Sequence, residues 1–172
     1  MSEFIKITED NIEKEHLCCI IREKKPHPGV EKKRAWLLNR LKDGHVFLKL
    51  NEKATVFIEY EPIETAWVPI SGRRYLYIHC LWVLGEYKGK GYGTELMKYA
   101  IADAKAQGKA GLCMLGAKKQ KAWFSDQSFA ENSDSPKSIP RPTVINYSLC
   151  LSIKTQKNPR CPLSRRAHAS AK

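Results

Sequence analysis

The chain lacks any apolar run long enough to cross a membrane, since a spanning helix needs about 20 such residues. Its first apolar stretch, Leu17 to Ile21, also falls short of a secretory signal core, and Glu13, Lys14 and Glu15 stand before it. The expectation is a cytoplasmic protein with no membrane partner. The six cysteines (Cys18, Cys19, Cys80, Cys113, Cys150 and Cys161) include no CxxC pair, so the common zinc arrangements are missing and reduced thiols with no metal are expected. Glycine is absent from the last part of the chain: all 10 lie at or before Gly116, whereas five of the nine prolines fall among the last 42 residues. Neither a GxxxxGK[ST] phosphate loop nor a full GxGxxG dinucleotide fingerprint occurs, and no RRM, KH or zinc-finger pattern appears.

What is present fits one soluble globular domain. The chain has 172 residues, 42% hydrophobic and 28% charged. The net charge of +12 could signal an acidic partner, so its distribution matters. Residues 1–130 carry 22 Lys+Arg against 16 Asp+Glu, and residues 131–172 carry 8 against 2, so each part contributes +6. Half of the excess therefore sits in the last quarter, and a nucleic-acid module would rest on charge alone. Its candidates would be Lys118, Lys119, Lys121 and the Arg160 to Arg166 region.

Periodicity predicts a short strand at Phe4 to Thr8 and a helix from an Asp10 N-cap to Ile21, with Glu13 completing a capping-box-like pair. Pro26 to Gly29 breaks the chain. A second helix is expected over Glu31 to Lys42, with Trp36, Leu37, Leu38 and Leu41 inward and Asp43-Gly44 ending it. His45 to Leu50 and Ala54 to Tyr60 read as an antiparallel hairpin. Tyr75 to Leu84, the longest strongly apolar run, reads as a central strand. Glu95 to Gln107 carries Leu96, Met97, Ala100, Ile101 and Ala104 on one helical face, and Gly111 to Leu115 makes a further strand. Strand, turn, helix and strand then follow in a βαβ-like order.

Between that central strand and that helix lies Gly85-Glu86-Tyr87-Lys88-Gly89-Lys90-Gly91-Tyr92-Gly93-Thr94. Alternate glycines let backbone approach a ligand, and a helix's first turn offers unpaired N–H groups and a positive dipole end. A phosphate or pyrophosphate suits that environment. Gly89-x-Gly91-x-x-Thr94 and Gly91-x-Gly93-x-x-Leu96 both lack the third glycine of a dinucleotide fingerprint, which weakens the nucleotide readings. The plainer alternative is a turn needed only for tight strand-to-helix packing. Three glycines and two lysines exceed what packing requires.

Lys88-Gly89-Lys90-Gly91-Tyr92-Gly93 resembles the [Q/R]xxGx[G/A] acetyl-CoA turn of the GNAT acetyltransferases, with Val83 and Leu84 leading into it. Lys88 stands where that family usually has Arg or Gln. Ile7-Thr8, Asn11-Ile12-Glu13 and His16-Leu17-Cys18-Cys19 are similar to the small YoaP-like branch of the same family. The resemblance implies an α/β fold with a mixed sheet, the acyl-CoA N-acyltransferase fold. It implies acetyl-CoA as cosubstrate, its pyrophosphate on the N–H groups of Lys88, Gly89, Lys90, Gly91, Tyr92, Gly93 and Thr94, and its pantetheine arm on the backbone of Val83 and Leu84. It also implies direct acetyl transfer to a primary amine on a small molecule or peptide, and it leaves a homodimer open.

The family's sites lie where two parallel strands splay, here beside Tyr75 to Leu84. His79 and Cys80 sit on that strand, and Glu59 and Glu61 could face the same cleft from the hairpin. His79 and Glu59 are the catalytic candidates, although a strand histidine is more often a satisfied core residue. Cys80 reads as a small core residue, Trp67 as the tryptophan most open to a substrate role. His16, Cys18 and Cys19 do not converge well enough for a metal ion, because neighbouring helical cysteines point about 100° apart.

The family continues after this point with a helix, a Gly-Phe turn and another strand. Trp123 to Phe129 could begin that helix, but no Gly-Phe follows and Val144 to Ile153 is the only further strand candidate. The expected division is therefore a transferase domain over 1–130 and an atypical basic tail over 131–172. Three accounts fit the tail: a divergent ending with Val144 to Ile153 as the missing strand, a disordered extension, or a reading-frame change near Glu131. The last also explains the abrupt shift in composition. Without closing strands, Gly111 to Leu115 would be an exposed edge, and the chain could bind CoA while turning over poorly.

Overall fold

The computed structural model describes residues 3–19, 27–52, 56–68, 70–117, 125–126, 148–152 and 164–165. They fall into two compact units: Met1–Glu61 with His79–Tyr99, and Pro62–Ile78 with Ala100–Lys172.

In the first unit, strand β1 (Phe4–Lys6) pairs antiparallel with β2 (Val46–Leu50), Phe4 opposite Leu50. Strand β2 pairs antiparallel with β3 (Val56–Pro62), Val46 opposite Tyr60 and Lys49 opposite Phe57, so the expected hairpin forms. The sheet order continues from β3 to β5 (Tyr75–Val83). Every residue of β2, and β3 through Glu61, is buried, as both faces of the sheet are covered. Ile7, Ile12, Leu17, Leu37, Phe47 and Phe57 form the core here, and the Phe47 and Phe57 rings stack at 4.5 Å.

Helix α1 (Pro28–Leu41) starts three residues before its expected start at Glu31. Pro28 does not break the chain; it opens the helix, where its missing N–H costs nothing. His27 is the N-cap, its Nδ1 accepting the Gly29 N–H at 3.0 Å. Leu37 is fully buried and Leu38 and Leu41 half-buried, but Trp36 is exposed rather than inward.

The helix expected over Asp10 to Ile21 does not form across its described part, where residues 9–15 make turns. The reason is local. Asn11 Oδ1 accepts the Thr8 N–H at 2.9 Å and its Nδ2 donates to the Lys6 carbonyl at 2.9 Å, an arrangement that competes with helix propagation. Ile12 and Leu17 are nonetheless buried.

In the second unit, the first part of β5 pairs parallel with β6 (Gly111–Ala117), from Tyr75 opposite Gly111 to Ile78 opposite Met114. The connection runs through helix α2 (Tyr92–Ala106), whose residues up to Tyr99 belong to the first unit and the rest to the second; it begins inside the glycine turn, and Leu96, Met97, Ala100 and Ala104 are buried. This is the expected βαβ unit. Ile63, Ala66, Ile70, Tyr75, Tyr77 and Cys113 form its core, and burial pushes the Tyr77 hydroxyl up to about 12.

Three short strands and one longer one complete the described residues. Strand β4 (Ile70–Ser71) pairs antiparallel with β9 (Ser164–Arg165), and β7 (Ser125–Asp126) pairs parallel with the end of β6. Within the span expected to be a strand, Ser148–Ser152 forms β8 and lies antiparallel on β6, Gly111 opposite Ser152 and Leu115 opposite Ser148. The β6 edge is thus covered. Apart from Ser125–Asp126, the helix expected from Trp123 lies outside the described residues, as do Lys118, Lys119 and Lys121. Among the described residues, no helix is long and apolar enough to cross a membrane.

Candidate active site

Two features of the first unit carry chemistry. The first is the glycine turn. Gly85–Tyr87 makes one 3₁₀ turn, the Lys88 N–H returns to the Gly85 carbonyl at 3.2 Å, and Gly89 and Gly91 then take φ of 77° and 87°. That left-handed conformation disfavours side chains. A Cβ at Gly85, Gly89 or Gly91 would meet nothing within 4 Å, so close packing does not demand these glycines. The first bond into helix α2 runs from the Glu95 N–H to the Gly91 carbonyl at 3.0 Å. The N–H groups of Tyr92, Gly93 and Thr94 therefore belong to the helix's open first turn.

The side chains of the turn are also ordered. Lys90 Nζ lies 5.3 Å from the centre of the Tyr87 ring, and that ring packs edge-on to Tyr92 at 5.6 Å. The Tyr87 hydroxyl donates to Glu52 Oε2 at 2.8 Å, and this bond raises it to about 12. Lys88 and Lys90 add two positive charges beside the open N–H groups. Val83 ends β5, and Leu84 sets φ −58° and ψ 147° as the chain leaves the strand.

The second feature is a buried ionic cluster that sequence reasoning found only in part. Glu59 and Glu61 alternate with Tyr60 on β3 and share one face with Phe57. They are 3% and 1% exposed, which two carboxylates tolerate only with partners. Lys33 of α1 donates to Glu59 Oε2 at 2.7 Å, and Arg40, two turns further along the same side of the helix, donates to Glu61 Oε2. His45, also buried, lies between them: its Nε2 is 3.0 Å from Glu59 Oε1 and its Nδ1 is 3.4 Å from Glu61 Oε2. His79 of β5 closes the cluster with Nε2 at 2.6 Å from Glu61 Oε1. The two imidazole rings stack at 5.4 Å.

Burial disfavours charge on each buried member, but the partners outweigh it. His45 is raised above its ordinary value by the two carboxylates. Glu59 is held below the carboxylate range by His45 and Lys33, and Glu61 by His45, His79 and Arg40. Both glutamates are therefore anions at neutral pH. Glu59 is buried and held away from solvent, while His79 keeps 23% of its side chain exposed.

The ligand atoms of His45, Glu61 and His79 lie within 4.8 Å of one another, a geometry that could admit a cation. Lys33 and Arg40 already balance the two carboxylates, and both oxygens of Glu61 accept hydrogen bonds. A divalent ion would compete with Arg40 or His79 for a carboxylate whose two oxygens are already bonded, so the donor set fits poorly. Cys80, next to His79 on β5, is pushed up to about 12 by burial, with Cys19 and Glu59 adding to the shift, so it stays a thiol at neutral pH. Trp67 is 92% exposed and belongs to the second unit.

A mixed sheet with a βαβ unit and a glycine turn at the head of α2 is the arrangement of the acetyltransferase class. The model of the acetyltransferase (GNAT) family matches residues 10–122. The chain belongs to that family. It is 45% identical over 129 residues, 75% of its length and 51% of the relative's, to the uncharacterized N-acetyltransferase YoaP of Bacillus subtilis (strain 168). The chain spans about half the length of the curated relatives it matches. Its fold is that of a GNAT-family acetyltransferase from Staphylococcus aureus Mu50 (TM-score 0.55, 17% identity, 90% of this chain and 100% of that one). A GNAT-family acetyltransferase from Brucella melitensis, solved in complex with acetyl-CoA, matches at TM-score 0.53 and 15% identity over 98% and 97% of the chains.

Proposed function

We propose that this chain is an N-acetyltransferase that moves the acetyl group of acetyl-CoA directly to a primary amine in a ternary complex. The observation that carries the reading is the turn at Lys88 to Thr94: Gly89 and Gly91 are required by φ and not by packing, and the turn opens a helix just after two lysines. Such a turn offers N–H groups and a dipole end to a pyrophosphate. The Brucella neighbour's complex with acetyl-CoA supports the same ligand. In this reading the N–H groups from Lys88 to Thr94 take the pyrophosphate, and the backbone of Val83 and Leu84 pairs with the pantetheine arm.

His79 is then the base, with Glu59 acting at a distance through His45. An acceptor ammonium gives a proton to His79; the neutral amine attacks the thioester carbon; a C–N bond forms and the C–S bond breaks. The amine's second proton goes to the departing thiolate, giving the amide and CoA, and His79 returns its proton to solvent. The acceptor is a small-molecule amine or a peptide.

We also assign the transferase to residues 1–130, supported by a family match that stops at residue 122. A Gly-Phe turn followed by a strand in another reading frame after Glu131 would make the tail a frame change.

The test is calorimetric titration of acetyl-CoA into wild type and Gly91→Glu. Binding by the wild type and its loss in the variant, with an unchanged circular dichroism spectrum, is the expected result. Equal heats would remove the site. Binding without turnover on any amine would identify a CoA-binding protein instead.

A further inference from the structure

Two carboxylates at alternate positions of a buried strand are hard to explain by stability. A buried ion pair is often no more stable than apolar residues of similar volume. Here one row of β3 runs Phe57, Glu59, Glu61, an apolar row that turns ionic toward its end. Stability would be served by continuing it with apolar side chains.

The bonds at Glu61 are directional. Oε2 takes the Arg40 guanidinium and faces His45 Nδ1 at 3.4 Å, while Oε1 is left to His79 Nε2 at 2.6 Å. An ionised carboxylate only accepts, so the hydrogen on that contact belongs to His79 Nε2. In the neutral ring this contact sets the tautomer, with Nδ1 as the nitrogen that carries no proton. The groups facing Glu61 from the packed elements include Arg40 of α1, His45 ahead of β2 and His79 of β5; Glu59 and Lys33 lie one step further along the cluster.

We propose that Glu61 is a positioning residue for His79: it locks the Nε2–H tautomer and so makes Nδ1 the proton acceptor in acetyl transfer. This rests on the transferase reading of the site. Arg40 makes the assignment unusually testable. In Glu61→Gln the arginine, which can only donate, draws the amide oxygen to itself and turns the amide NH₂ toward His79 Nε2. Nε2 must then accept, and the ring proton moves to Nδ1, the atom the reaction needs empty. Glu61→Gln keeps the volume and removes the base function.

The experiment uses the intact chain with ¹⁵N-labelled histidine. In the wild type, NMR of neutral His79 is expected to show the Nε2–H tautomer, and in Glu61→Gln the Nδ1–H tautomer. An Nδ1–H tautomer in the wild type overturns the proposal without any variant having to fold. Turnover of acetyl-CoA with spermidine as the probe amine is expected to fall about 10²- to 10⁴-fold in Glu61→Gln. Glu61→Asp should recover part of it, and Glu61→Gln/His79→Ala should be no slower than His79→Ala. Multiplying losses in the double variant would mean Glu61 acts independently of His79, and would overturn the proposal. Acetyl-CoA titrations on the same samples separate the two ideas. An unchanged affinity across the set is expected; a wild type that binds none sinks the transferase reading, whatever tautomer His79 adopts.

Discussion

Replacing His45 with glutamine should destabilise the chain in a way that depends on pH in both directions. His45 is fully buried and serves Glu59 and Glu61 at once, at 3.0 and 3.4 Å. Removing one partner of a buried ion pair costs roughly 3–5 kcal/mol. Glu59 keeps Lys33 at 2.7 Å and Glu61 keeps Arg40 and His79, and glutamine still supplies a donor, so the low end, about 3 kcal/mol, applies. The sign follows from the shifts. His45 is raised from 6.5, so its contribution is complete below that pH and is lost as pH rises through the higher folded value. Glu59 and Glu61 are lowered from 4.5, so theirs is complete above that pH and is lost as pH falls through the lower folded values. The difference in unfolding free energy between wild type and His45→Gln, measured by urea denaturation at a series of pH values, should be largest between pH 4.5 and 6.5 and shrink on either side. A difference that stays constant from about pH 4 to 9, or widens above 6.5, would refute a charged His45.

Other outcomes follow from the same structure. Leu37→Ala, at a fully buried site on α1, should lose about 2–5 kcal/mol in the same urea assay. Gly89→Ala should lose about 1 kcal/mol through its φ of 77° alone, whereas Gly85→Ala, with no positive φ and open space around it, should stay within about 0.5 kcal/mol of wild type in thermal melts. Cys80→Ala should retain transferase activity, and mass spectrometry after incubation with acetyl-CoA should show no acetyl adduct on Cys80 in the wild type, since its thiol is held near 12. Deleting residues 131–172 removes β8 from β6 and should lower soluble yield through the bared strand edge, while acetyl-CoA binding persists because the turn belongs to the other unit.

The βαβ core was legible because two periods dominate it: the apolar run from Tyr75 and the face Leu96, Met97, Ala100 and Ala104 left little choice of element. The glycine turn was legible for a different reason, since alternating glycines at a helix start mark a backbone conformation directly. Elsewhere local chemistry misled. Asp10 looked like an N-cap, but Asn11 uses both ends of its amide to tie Thr8 and Lys6, and turns replace the helix. Trp36 sits on the apolar stripe of α1 and stays exposed, its ring edge meeting His45 at 5.1 Å. His45, Arg40 and Lys33 went unmarked because they are distant from Glu59 and Glu61 in sequence, and no period links a helix face to a strand row.

A signal for them did exist. In Phe57-Ile58-Glu59-Tyr60-Glu61 the strand pattern puts Glu59 and Glu61 on the face of Phe57, and a buried face with two carboxylates must be answered by cations from another element. Lys33 and Arg40 stand seven residues apart on α1, two helical turns, which places both on one side of the helix. That spacing lets one helix meet both carboxylates. Each cation occupies the Oε2 of its glutamate, leaving Oε1 of Glu59 to His45 and Oε1 of Glu61 to His79. The cations thus determine which oxygen reaches the only histidine of the cluster with substantial exposure, and a change as mild as Arg40→Lys would alter the direction of that bond while keeping the charge.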